Sequence, residues 1–190
     1  MGVTMRVQLL LATVTALAVT TTAASAYTRH HHRHHAHAQN VTHPQADPRV
    51  AKSMETLRAM TAKLGRPKLD GQEAVGGKDA PVLYFGTTKI NNNFDIVDAV
   101  GKEDGKGMTA TLFAKGGDDY IRVSTSVPKP DGSGRAVGTV LAGPALESIK
   151  AGKAYYGEVP ILGTPYVTGY EPIKDSSGAQ IGVYYVGYKK

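Results

Sequence analysis

Apolar and polar positions along the chain follow two different periods. In "DPRVAKSMETLRAMTAKLG", Val50, Met54, Leu57 and Leu64, with Met60 nearby, recur at helical spacing and form one apolar stripe. Asp47 is a good N-cap residue, Pro48 suits the first helical position, and Gly65 with Pro67 beyond it ends the run. After a Gly-rich loop the period shortens to two. Strands are predicted around Val82–Phe85, in "MTATLFAK" and "DDYIRVSTSV" joined by the turn Gly116-Gly117-Asp118, and in "KAYYGEVPIL", "TPYVTGYEPI" and "AQIGVYYVGY". Two short helices interrupt them, one entered through Asn93 and ended at Gly101, the other running from Pro144 to Gly152. Strands arriving in runs with tight turns between them imply an antiparallel sheet with helices on its faces. The expected class is an α+β domain over residues 47–190.

One strand does not read as ordinary core. Tyr120, Arg122 and Ser124 alternate with Ile121, Val123 and Thr125, so one predicted face carries a phenol, a guanidinium and a hydroxyl. An arginine on a covered sheet face needs a partner, because an unpaired buried charge is costly. Either a carboxylate of the domain, such as Glu158 or Glu171, or a carboxylate of a ligand meets that need. Along "TPYVTGYEP", Tyr166, Thr168 and Tyr170 share a second face of the same kind. The chain holds ten tyrosines, three phenylalanines and no tryptophan. Tyrosine combines apolar area with a hydroxyl that seeks a partner, the mixture that a concave site for a small polar ligand requires.

Composition removes several chemistries. There is no cysteine, and all seven histidines fall between His30 and His43, so the folded part holds neither residue. Ser-His-Asp and Cys-His catalysis and the usual nitrogen and sulfur zinc sites are therefore excluded from it. We expect no enzyme activity and no cofactor. Asp118-Asp119 lies in a hairpin turn, where Asp is common for backbone reasons. The 22 basic and 16 acidic residues are interspersed, giving a net charge of +6 without a basic stripe, so no nucleic-acid partner is expected.

The N-terminal segments have their own logic. "MGVTMR", the short apolar run Val7–Val19 and the closing Ala24-Ser25-Ala26 have the layout of a secretory signal, with cleavage after Ala26. A retained signal would instead leave the protein membrane-anchored. Residues 27–46 form a His-rich linker, expected to be disordered. Its His30, His31, His32, His34, His35 and His37 are candidate ligands for nickel, copper or zinc, which gives a second functional reading as a metal-binding exported protein.

The stretch "ATLFAKGGDDYIRVSTSVPKPDGSGRAVGTVL", with "AGKAYYGEVPILGTPYVTGYEPIKDSSGAQIGVYYVGYKK" after it, resembles the single Cache sensory domains of bacteria, in particular the Cache 3/Cache 2 fusion domain. The resemblance covers roughly Lys52 to Lys190. It implies a PAS-like fold, in which a long N-terminal helix packs on an antiparallel sheet of five or six strands and a ligand pocket lies on the other face. In that picture Arg122 faces a ligand carboxylate, and Tyr120, Ser124, Tyr155, Tyr156, Tyr166, Thr168 and Tyr170 line the cavity. The implied partner is a small organic acid, with a membrane receptor or sensor kinase as a further one. The last predicted strand runs to the final residues, so no output module is expected in this chain.

Overall fold

The computed structural model describes residues 46–190. The first helix, α1 (Pro48–Leu64), has the bounds its apolar stripe predicts, and the Asp47 side chain caps it by accepting the Arg49 backbone N–H at 2.9 Å. A hairpin of β1 (Pro67–Val75) and β2 (Lys78–Phe85) follows, with the two-residue β3 (Thr88–Lys89) beside β2. After α2 (Asp95–Asp104) come β4 (Met108–Gly116), β5 (Asp119–Thr125) and α3 (Pro144–Lys150). The antiparallel run β6 (Tyr155–Ile161), β7 (Thr164–Lys174) and β8 (Gln180–Lys189) completes the domain. Five strands pair in the order β5-β4-β8-β7-β6, and a separate three-stranded sheet has the order β1-β2-β3. The architecture is the expected α+β, Cache-like and PAS-like one.

The five-stranded sheet separates two apolar clusters. On one face Val50, Met54 and Leu57 of α1, Val97 and Val100 of α2, and Leu83 and Phe85 of β2 pack on Leu112, Val123 and Val186. On the other face Ala145 and Ile149 of α3 pack with Phe113, Val159, Ile161, Tyr170 and Tyr185. No helix among the described residues is long and apolar enough to cross a membrane.

Two local readings change. The segment read as a Gly-rich loop before Pro81 contains β1, which pairs with β2 although Asp70, Gly71 and Gln72 are poor strand formers. A register shift between Leu69 and Gln72 absorbs Asp70 and Gly71, and pairing resumes at Gln72 opposite Pro81. Helix α2 runs through Gly101 and stops at Gly105. A bulge in β5 puts Arg122 and Ser124 on opposite faces. Leu112 pairs with Ser124, but the next residue, Phe113, pairs with Arg122, so β5 has one residue more than β4 at that point. Arg122 therefore lies with Phe113 on the α3 face, while Ser124 shares the α1 face with Leu112.

Candidate functional site

β5 is an edge strand, and its outer side is covered by the chain around residues 136–141. Arg122 N–H donates to the Thr139 carbonyl at 2.8 Å, Gly138 N–H to the Arg122 carbonyl at 2.9 Å, and Leu141 N–H to the Tyr120 carbonyl at 2.9 Å. These bonds leave Arg122 only 5% exposed. Its Nη1 donates to Thr139 Oγ1 at 3.0 Å, and the Thr139 hydroxyl in turn donates to the Ala136 carbonyl at 2.9 Å. The guanidinium carbon stands 5.2 Å from the Phe113 ring centroid. The Arg122 Nε–H is buried and has no protein partner.

Neither carboxylate considered from sequence reaches this arginine. Glu158 accepts Lys190 Nζ at 2.8 and 2.9 Å. Glu171 accepts Arg58 Nη1 at 3.0 Å and the Tyr156 hydroxyl at 2.6 Å, on the α1 face. Burial accordingly pulls the Arg122 pKa below its ordinary value, opposed only in part by the neighbouring Tyr185 and Tyr170 phenols. Burial pushes both phenols upward, so they stay neutral and supply hydroxyl dipoles but no anion.

Arg122 opens onto a cavity of about 310 Å³. Its polar lining is Arg122, Thr139 and Tyr170. The walls are residues 140–144, ahead of and entering α3, and Val159–Leu162 at the end of β6. No Asp, Glu, Lys or His contributes to that lining. A single buried cation with an unused donor, set among apolar walls, is suited chemically to one small anion with an apolar body.

The other residues singled out from sequence are distributed around this cavity. Tyr155 packs edge-on against Tyr170 with centroids 6.2 Å apart, and Tyr185 lies 4.9 Å from Tyr170 on its other side. Tyr166 and Thr168 share that sheet face outside the lining, with the Thr168 hydroxyl donating to the Gly157 carbonyl at 2.8 Å. Tyr120 accepts Gln180 Nε2 at 2.5 Å beside α3. Two residues point elsewhere. The Ser124 hydroxyl donates to the Asn93 carbonyl at 2.5 Å, because the bulge carries it to the α1 face. Tyr156 pairs opposite Gly169 and lies on the α1 face, as the neighbour of an inward-facing Tyr155 must. Thus Arg122 and Tyr170 are brought together at the cavity. Thr139 and the wall residues are the ones sequence reasoning missed; they lie in a loop and at a strand tip, and their apolar composition reads as plain packing.

Among the described residues no group of three His, Cys, Asp or Glu stands close enough to hold a metal ion. His30, His31, His32, His34, His35 and His37, like the signal sequence, lie outside the described residues. In comparisons with known proteins, the family described as the Cache 3/Cache 2 fusion domain matches residues 15–190. No curated protein matches the chain.

Proposed function

Since the chain belongs to the Cache 3/Cache 2 fusion domain family, we propose that it is an exported binding domain for a small organic acid, with Arg122 as the carboxylate anchor. Cache domains are extracytoplasmic sensor domains that bind small molecules. The observation that carries the finer reading is a guanidinium, 5% exposed, whose Nε–H has no protein partner and whose neighbouring space is a cavity. A carboxylate against this guanidinium supplies the missing countercharge, and guanidinium geometry favours two parallel hydrogen bonds. Thr139 holds Nη1 in place, and Tyr170 borders the same space. In this reading a cleaved secretory signal delivers the domain outside the cytoplasm, and binding serves recognition without turnover, with a membrane receptor or sensor kinase as the recipient of the liganded form.

A thermal-shift panel on the whole protein tests it, using acetate, propionate, pyruvate, lactate, succinate, amino acids and purines with chelator present. Any ligand that binds only the folded state raises the midpoint by mass action. Carboxylates should raise it in the wild type and fail to do so in Arg122→Met. Equal shifts in both proteins would remove Arg122 from the reading.

A further inference from the structure

The cavity is polar at Arg122 and apolar at its mouth. Val140 and Leu162 are 37% and 41% exposed, the two exposed large apolar side chains among the described residues, and both line this one cavity. Leu162 is also unusual in its backbone. Ile161 and Thr164 pair across the β6–β7 hairpin, leaving Leu162-Gly163 as a two-residue turn with φ of 49° and 86°. Such a turn favours Asn-Gly, and a bulky residue with positive φ is strained there. Burial does not offset that strain, because protein atoms leave Leu162 among the most exposed apolar side chains described.

We infer that the cavity takes an unsubstituted aliphatic monocarboxylate, its carboxylate on Arg122 and its tail covering Val140 and Leu162. The inference rests on Arg122 as the anchor. One cation and no second basic residue in the lining leave a second carboxylate without a counterion. No acidic residue in the lining receives an ammonium group, which disfavours amino acids. The Thr139 hydroxyl already accepts from Arg122 and donates to Ala136, so it has little left for a hydroxy acid. The exposed part of the strained Leu162 gains apolar cover from a ligand tail that reaches it, the pattern expected where backbone strain accompanies a binding function.

Titrating the whole protein with straight-chain acids from acetate to octanoate tests the class. Affinity should rise about fourfold per methylene until the tail passes the lip, and then level off. Leu162→Asn, a residue suited to the left-handed turn, should lower hexanoate affinity several times more than acetate affinity. Succinate and alanine should bind at least about tenfold more weakly than butyrate, for want of a counterion. Arg122-dependent binding with no chain-length trend, or with succinate or alanine preferred, would overturn the aliphatic class and leave the anchor standing. No binding by any carboxylate would sink the anchor and the class together.

Discussion

Arg122 is a charge held where burial opposes it. A base whose folded pKa lies below its unfolded value destabilises the fold at every pH below the folded value, and the penalty lifts only as pH rises through it. Burial lowers the Arg122 pKa, so at neutral pH the protonated side chain imposes the full penalty. Replacing it with an apolar chain of similar length removes a buried charge without leaving a charged partner behind. Arg122→Met should therefore raise the melting temperature of the protein without added acid, by about 1–3 kcal/mol of stability, while losing the carboxylate response. Thermal melts with and without butyrate check both halves. A lowered melting temperature would make the guanidinium a structural group. The alternation in "DDYIRVST" was enough to find this arginine, because period two survives from Tyr120 to Arg122. It failed at Ser124, since a bulge is a property of two paired strands and one strand's pattern does not reveal it.

At the scale of elements, a hairpin outside the sheet supports the cavity wall. The β1–β2 turn meets the chain carrying Thr139 backbone to backbone. A Cβ on Gly76, which has φ of 57°, would lie 2.3 Å from the Val137 carbonyl oxygen, and one on Gly138, with φ of 81°, 2.6 Å from the Val75 oxygen. Neither position tolerates a side chain without displacement. Gly76→Ala should cost about 1–2 kcal/mol for the left-handed backbone alone, and more for the clash. It should also weaken carboxylate binding, although Gly76 does not line the cavity, by shifting the loop that positions Thr139. Urea melts combined with acetate and hexanoate titrations separate the two effects, and a variant destabilised but unchanged in affinity would show that the turn supports folding alone. The helices were legible because caps and stripes are local: Asp47, Pro48 and Gly65 bound α1, and Pro144 starts α3. Strand β1 was not, because its pairing with β2 overrides the poor intrinsic preference of Asp70-Gly71-Gln72.

At the scale of the whole molecule, one sheet separates two cores with different tasks. The face covered by α1 and α2 packs one apolar cluster, and the carboxylate at its edge, Glu171, is already bonded to Arg58 and Tyr156, whereas the α3 face combines packing with the cavity at the unpaired Arg122. The α+β class and the helix-covered face followed from the order of periodicities. The cavity walls did not, since Thr139–Pro144 and Val159–Leu162 are separate in sequence and meet only through the sheet order. Metal binding by the His-rich segment is the competing proposal, and one deletion separates it from the cavity reading. Deleting residues 29–43 should leave the melting temperature and the carboxylate response unchanged while abolishing zinc or nickel binding. Calorimetric titration of the deleted and full-length proteins measures both. Loss of carboxylate binding on deletion would mean that the segment takes part in the domain's recognition.

The clustered phenols also give the protein an optical character. With ten tyrosines, three phenylalanines and no tryptophan, its near-ultraviolet absorption and emission are dominated by tyrosine. Tyr155, Tyr170 and Tyr185 stand centroid to centroid at 6.2 and 4.9 Å, close enough for their excitations to couple. Tyr170 borders the cavity beside the only cation in its lining. An anion arriving there alters the field on a coupled chromophore, so near-ultraviolet circular dichroism reports occupancy directly, without a label and without an engineered probe.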